Sequence, residues 1–253
     1  MKKMMIGLLA CLAAMSSAEQ AQAAVSKARR VLVVVSELDS GAAPELRGLY
    51  QTLERLTETT TQGILGGEYA AIHYLKNNRA TPAAMGSLLR SLARNTNVAA
   101  IDTILSVHGS PGVLHFADGA HNMAAIERAI VPAGMTANDR SVLKRKLRVM
   151  YNLSCYGRSH NRTFAELGFD IVAGSNRINA NSEVEFVPVL TNWRFGGKFV
   201  DGFGPSNTAA ALAVADGPIR LAGQLGGNVL ADTDSKKFFS GFSLVKIDRD
   251  PRP

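Results

Sequence analysis

The chain has 253 residues, of which 46% are hydrophobic and 19% are charged, and this is enough for one large domain with a substantial core. Its formal charge of +7 is spread along the sequence, and the densest basic cluster, residues 144–148, is typical of a solvated helix end. Aromatic residues do not interleave with the basic ones and no nucleic-acid motif is present, so the composition excludes nucleic acid as an expected partner.

Residues 1–23 have the pattern of a secretory signal peptide. Lys2 and Lys3 precede an apolar run at 4–15, and residues 21–23 fit a small-x-small cleavage site that leaves Ala24 as the mature start; residues 16–18 are a second option. The apolar run is too short to cross a bilayer. We therefore predict an exported, bacterial-type protein, periplasmic or secreted, with no membrane span after cleavage and a single domain over 24–253.

The predicted cleavage site lies between the two cysteines of the chain. Cys11 lies in the signal peptide, and Cys155 remains as the lone thiol of the mature chain, which excludes an internal disulfide. Residues 8–11 resemble a lipoprotein box, so lipid anchoring through Cys11 is an alternative. The early position of Cys11 and the Leu before Ala10 disfavour it.

Short apolar runs alternate with segments of helical spacing along the first two thirds of the chain. The β-branched run at 30–35 is typical of a strand that is covered on both faces. Further strands are expected at 69–75, 101–107, 149–153 and 169–173, and helices at 44–56, 81–94, 122–131, 136–147 and 162–167. This alternation predicts an α/β fold, a mainly parallel sheet with helices on both faces.

Other segments carry weaker signals. Residues 57–67, rich in Thr and Gly, are expected to form a connection, and residues 112–116 a short edge strand or hairpin arm. Residues 182–195 fit a helix that Pro188 kinks or divides. An Ala-rich helix is expected from Ser206, and a last strand at 242–247.

His108 and Cys155 each follow a predicted core strand and lie beside glycine. His108 is followed directly by Gly109, and Cys155 by Gly157 two residues later. The carboxyl ends of parallel strands meet at one edge of the sheet, where open α/β sheets bind their ligands. The sequence therefore predicts that these two side chains lie at the same edge.

This pair has the chemistry that a cysteine nucleophile requires. The nucleophile needs a base or cation that favours its thiolate, and the imidazole of His108 supplies this near neutral pH. It also needs N–H donors for the oxyanion of a tetrahedral intermediate, and the backbone N–H groups of Gly109 and Cys155 fit that role. Gly157 is expected to let the chain turn sharply behind the nucleophile. Such chemistry needs no metal or other cofactor.

These residues carry a resemblance to a known family. The segment from Tyr151 to Gly157 resembles the cysteine block of the caspase-like (clan CD) cysteine peptidases. The segment from His108 to Phe116 is similar to the His-Gly-small-x-Gly-apolar-Leu-x-Phe pattern of the legumain and GPI-transamidase branch. The similarity spans roughly residues 30–176.

The resemblance implies an exported cysteine peptidase or transpeptidase that acts on a peptide or protein. Cys155 would be the nucleophile, His108 the general acid and base, and the N–H groups of Gly109 and Cys155 the oxyanion donors. The reaction would be hydrolysis or acyl transfer through a thioester.

The resemblance also suggests residues that contact the substrate. In this clan the strand after the cysteine strand contributes to the P1 pocket, which makes Ser175, Asn176 and Arg177 the candidates. If Arg177 faced the pocket, it would fit an acidic side chain. Asp39 and Ser40, after the first strand, are candidates to orient His108.

Four rival interpretations stay open. His108, His115 and His121 lie close in sequence, but their spacings are unlike familiar zinc motifs. His160, five residues after Cys155, is an alternative base. The His-Gly segment also resembles the oxyanion segment of α/β-hydrolases, yet the chain has no Gly-x-Ser-x-Gly motif. The fourth rival is a catalytically inactive caspase-like fold that serves as a periplasmic binding module.

Overall fold

The structure is a computed structural model, and it describes residues 24–40, 44–180 and 182–249. The predicted signal peptide, with Cys11, lies outside the described residues, so cleavage and export stay predictions. Of the helices in the described segments, none is long and apolar enough to cross a bilayer.

The described residues form one sheet of eight strands. The strands are β1 (Arg30–Glu37), β2 (Ala71–Lys76), β3 (Ala100–Ser110), β4 (Val113–Phe116), β5 (Gly119–Asn122), β6 (Leu147–Asn152), β7 (Ile171–Ser175) and β8 (Lys237–Gly241). Six of them lie in the order β2-β1-β3-β6-β7-β8. The first five of this order are parallel neighbours, and β8 pairs antiparallel with β7 at the edge. The hairpin β4-β5 extends from the end of β3.

Helices cover both faces of this sheet. They are α1 (Arg47–Leu65), α2 (Pro82–Arg94), α3 (Met123–Ile130), α4 (Ala137–Lys146), α5 (Arg158–Leu167), α6 (Ser182–Arg194) and α7 (Ala209–Gly226). Buried side chains of α2 to α5 share one core with the sheet, and those of α1 and α6 share the other. Along β1, Val31, Val33 and Val35 enter the first core while Leu32 and Val34 enter the second, because successive side chains of a strand point to opposite faces. The predicted fold class is confirmed.

Two predicted elements differ from the structure. Residues 57–67 were expected to be a connection, but α1 continues to Leu65 because Thr57, Thr61 and Leu65, spaced four apart, are all buried against the sheet. The last strand was expected at 242–247 and is instead Lys237–Gly241. Val245 and Ile247 are buried in the second core outside the main ladder, which is why the segment resembled a strand.

Helix α6 runs through Pro188 as one element. Proline removes a helical hydrogen bond, but Val189, Leu190 and Trp193 of the same helix are buried in the second core. Phe186, before the proline, is buried in the same core, so the helix is held against the sheet on both sides of Pro188.

A buried ion pair connects β3 and β6 near their amino ends. Arg148 Nε donates to Asp102 Oδ1 at 2.8 Å, a second guanidinium nitrogen donates to the other oxygen, and both side chains are almost fully buried. The Tyr69 hydroxyl donates to the same carboxylate at 2.6 Å and accepts from Trp193 Nε1 at 2.9 Å. The two strands are thus held together at the end of the sheet opposite to His108 and Cys155.

Candidate active site

The pairing of β3 with β6 brings the ends of these two strands together. Leu105 lies opposite Asn152 in the parallel register, and the Leu153 N–H donates to the Leu105 carbonyl at 2.8 Å. His108 comes three residues after Leu105, and Cys155 comes three residues after Asn152. The two side chains therefore leave the sheet at the same edge, as the sequence predicts.

Gly109 lets the two strand ends approach closely. A Cβ atom at this position would lie 2.3 Å from the Cys155 carbonyl oxygen and 3.0 Å from the Ser154 Cβ. Any side chain at position 109 would therefore push the Cys155 carbonyl and the Ser154 side chain away from β3. The glycine next to His108 has a packing role in addition to its expected role as an oxyanion donor.

The turn behind Cys155 is formed by Tyr156 rather than by Gly157. Tyr156 has a φ of 55°, in the left-handed region that a non-glycine residue adopts at a cost of about 1–3 kcal/mol. Its N–H donates to the Arg177 carbonyl at 2.6 Å, and its hydroxyl donates to Asp232. Gly157 has an ordinary helical φ of −50°. Its missing side chain instead allows contact with Gly174, whose Cα would lie 2.8 Å from a Cβ at position 157.

A cavity of about 350 Å³ opens at this edge of the sheet, and both His108 and Cys155 line it. Further described residues of these walls come from the ends of β1 and β6, one face of α1, the segment after β7, and α6. These walls include Leu38, Leu49, Tyr50, Leu53, Leu56, Leu153, Ile178, Asn179, Ala180, Phe186 and Val187. A larger depression of about 770 Å³ runs along α4 and α5, and its described lining includes neither His108 nor Cys155.

A backbone carbonyl orients His108. Its Nε2 lies 2.8 Å from the Leu38 oxygen, and because a carbonyl only accepts, the ring proton is on Nε2 and Nδ1 carries the lone pair. The Tyr50 ring packs edge-on against the imidazole, with 4.7 Å between the ring centroids. The sequence candidates for this orienting role were Asp39 and Ser40. The group is instead the main chain of Leu38, directly before them, which no side-chain pattern reveals.

The Leu38 peptide is in turn held by Glu54 of α1. Glu54 Oε1 accepts the N–H of Leu38, and it lies 3.3 Å from the N–H of Asp39. A contact chain thus runs from the Glu54 carboxylate through the Leu38 peptide to the His108 ring. In the sequence, Glu54 is a polar residue between Leu53 and Leu56, and nothing in this pattern indicates a contact with the Leu38 peptide.

Burial keeps both members of the pair in their neutral forms. Desolvation lowers the pKa of His108 below its ordinary value, and the hydrogen bond to Leu38 offsets only part of this change. Desolvation also raises the pKa of the Cys155 thiol, against the smaller opposing effects of the Asn179 N–H and the Lys237 ammonium. At neutral pH the site therefore holds a thiol beside a neutral imidazole. His108 can accept a proton, and Cys155 has one to give.

The three residues that were predicted to contact the substrate are not among the described residues that line this cavity. Ser175 is fully buried, and its hydroxyl is 3.0 Å from the Ser154 carbonyl. Asn176 donates to Asp234 at 2.6 Å, and Arg177 pairs with Asp232 on the surface. The following residues, Ile178 to Ala180, line the cavity instead. No contact of these three predicted residues points to a substrate, and their assignment stays a prediction.

His160 and His121 have partners outside this cavity. His160 is fully buried, with Nε2 at 3.0 Å from the Ser110 carbonyl and Nδ1 at 3.2 Å from Asn152 Nδ2. It braces the strand ends and is not among the described cavity residues. His121 pairs with Asp118 at 2.9 Å. Within the described segments, no group of three or more His, Cys, Asp or Glu is placed to hold a metal ion.

Comparison with known proteins identifies the fold. No protein-family model matches the chain, and no curated protein sequence matches it significantly. Solved structures do match, among them the crystal structure of caspase-1 from Spodoptera frugiperda. The match has a TM-score of 0.53 and 11% sequence identity, and it covers 89% of this chain and 92% of that chain. The chain has a caspase-like fold. The resemblance to the legumain branch stays a prediction.

We predict that Glu54→Ala destabilises the protein and loosens His108. Removal of a charged acceptor from the Leu38 and Asp39 N–H groups should lower the free energy of unfolding by about 1–3 kcal/mol. It should also speed exchange of the His108 Nε2 proton with water, as followed by NMR. Glu54→Gln keeps one acceptor oxygen and should show a smaller loss.

The matched control is Glu58→Ala, one turn later in α1. Glu58 accepts from Lys76 at 2.8 Å on the surface, so its removal should cost less than about 1 kcal/mol. Equal losses of stability and equal exchange rates in Glu54→Ala and Glu58→Ala would contradict the role of Glu54.

We predict that acid destabilises the protein through His108. The pKa of His108 is lowered in the folded state from the ordinary value of 6.5, so below that pH the unfolded chain binds more protons. The stabilisation is complete above this pH and is lost as the pH falls toward the lowered pKa. His108→Gln should reduce the pH dependence of unfolding by at most about 1.4 kcal/mol per pH unit.

Urea unfolding between pH 7.5 and pH 5 measures this slope, and an NMR titration of the His108 ring measures the pKa directly. Burial also lowers the pKa of His160, so a smaller slope that His160 contributes should remain in His108→Gln. A His108 midpoint at or above 6.5 would refute the prediction.

Proposed function

We propose that the chain is a cysteine peptidase that uses Cys155 as its nucleophile and His108 as its general acid and base. The observation that carries the proposal is the shared cavity. It holds a thiol and an imidazole from adjacent strand ends, and the imidazole is fixed by Leu38 with its lone pair on Nδ1. The caspase-like fold agrees with this reaction class without establishing it.

The proposed reaction begins with the neutral pair. As Sγ of Cys155 attacks the peptide carbonyl carbon, its proton passes to Nδ1 of His108, and the carbonyl oxygen takes up the negative charge. The N–H groups of Gly109 and Cys155 stabilise this oxyanion. His108 then donates the proton to the leaving amine, which leaves a thioester on Cys155.

The second half of the reaction removes the acyl group. Water attacks the thioester, gives a proton to His108, and releases the carboxylic acid as the thiol is restored. An amine in place of water would give transpeptidation. The reaction uses only groups of the chain itself and needs no cofactor.

We further propose that the enzyme works outside the cytoplasm, after loss of residues 1–23. The support is the signal-like sequence, with its two lysines, short apolar run and small residues before Ala24. Amino-terminal sequencing of the exported protein tests this proposal, and a mature start upstream of the apolar run would contradict it.

We predict that loss of either member of the pair abolishes peptide cleavage. With the purified chain and a fluorogenic peptide library, Cys155→Ala and His108→Ala should each lower kcat/KM by at least about 100-fold. His121→Ala is the matched control, because His121 pairs with Asp118 away from the cavity and should leave the rate unchanged.

Peptidyl acyloxymethyl ketones provide a second readout, since they alkylate a thiol that acts as a nucleophile in a peptide site. They should label Cys155 in the native protein and fail to label His108→Ala. Cleavage that survives Cys155→Ala would overturn the proposal. So would peptide binding that persists in Cys155→Ala with no cleavage and no labelling of the native protein, which is the behaviour of a binding module.

A further inference from the structure

The cavity beside Cys155 has a mainly apolar lining, in which the polar residues Thr57, Thr60, Ser106, Asn179 and Ser182 are uncharged. Among the described residues that line it, His108 aside, none is an acidic or basic residue. Leu49, Leu53 and Leu56 lie along one face of α1, at the spacing of a helical stripe. Phe186 and Val187 of α6 extend the apolar wall.

Apolar side chains also lie next to the nucleophile. Leu153 directly follows β6 and precedes Cys155 by two residues, and Ile178 follows β7. Apolar side chains therefore line the same cavity as the Cys155 thiol.

The nearby charged side chains are occupied by other partners. The Arg177 guanidinium pairs with Asp232, and the buried Lys237 ammonium lies 2.6 Å from the Glu185 carboxylate. Glu54 accepts from the Leu38 N–H. A charged substrate side chain that entered the cavity would lose its water without gaining a free counterion, which is unfavourable.

The apolar surface continues outward from the cavity onto its rim. Leu49 is 54% exposed, Leu56 47%, Val187 49% and Leu230 39%, and all four line the cavity. Exposed apolar surface grouped around a concave site is typical of a surface that binds an apolar ligand. The cavity volume of about 350 Å³ lies at the small end of the range for ligand pockets and has room for a bulky side chain.

We propose that this cavity is the specificity pocket of the enzyme and that it takes a bulky apolar side chain, such as Leu or Phe. The side chain belongs to the substrate residue whose carbonyl Cys155 attacks. The inference rests on the proposed peptidase function and adds the substrate class. An apolar substrate side chain takes the place of the acidic one that was expected if Arg177 faced the pocket. Arg177 is paired with Asp232 and is not among the described residues that line the cavity.

The experiment compares fluorogenic peptides that differ only at the residue before the cleaved bond. Peptides with Leu or Phe at that residue should be cleaved with kcat/KM at least about tenfold above those with Asp, Lys or Ala. Leu53→Arg places a cation in the pocket wall and should reduce cleavage after Leu while increasing cleavage after Asp.

Two further variants separate specificity from folding. Leu225→Arg makes the same change at a position of α7 that is 83% exposed and outside the described lining, so it should keep the native preference. Leu53→Ala adds no charge and enlarges the pocket, so it should shift the preference from Leu toward Phe. If Leu53→Arg fails to fold, Leu53→Ala still tests whether Leu53 forms part of the pocket wall.

The outcomes distinguish this inference from the function on which it rests. Cleavage that depends on Cys155 but prefers Asp or Lys, or a preference unchanged in Leu53→Ala, would overturn the apolar pocket and leave the peptidase proposal standing. Failure to cleave any peptide, together with no acyloxymethyl ketone labelling, would overturn both.

Discussion

The parallel register between β3 and β6 determines the geometry of the candidate site. Leu105 opposite Asn152 places His108 and Cys155 equally far beyond this residue pair, and a slip by one residue would send either side chain to the other face of the sheet. The Asp102–Arg148 pair joins the two strands near one end, and the close approach of Gly109 to Ser154 and Cys155 joins them at the other. The rest of the site is built around this junction.

Burial links the chemistry of the site to its specificity. The desolvation that lowers the pKa of His108 and raises the pKa of Cys155 arises where apolar side chains displace water. The same side chains form the cavity that we propose as the specificity pocket. A neutral thiol and a neutral imidazole suit such a pocket, because no charge needs to be desolvated before the substrate binds. In the reaction that we propose, the proton moves only when the carbonyl is attacked.

Local sequence predicted most of the sheet and the two strand ends that meet at the site. The runs at 101–107 and 149–153 are short and largely apolar, and glycine follows each of them within a few residues. The first lies within β3, and the second overlaps β6 at residues 149–152. It did not predict the extension of α1 to Leu65, since the Thr-rich composition concealed a buried stripe. It also missed β8, because Lys237 is buried there only through its partner Glu185.

The sequence by itself determined the fold class and singled out His108, Gly109 and Cys155, because alternating periodicity and residues at strand ends are local signals. Only the tertiary structure decided what surrounds them. The Leu38 carbonyl on His108, the Tyr50 ring beside it and the Glu54 carboxylate behind it come from elements far from residue 108 in the chain. The apolar cavity is likewise assembled from β1, α1, β6, α6 and the segment after β7. Such contacts depend on how separate elements pack, and no local pattern encodes them.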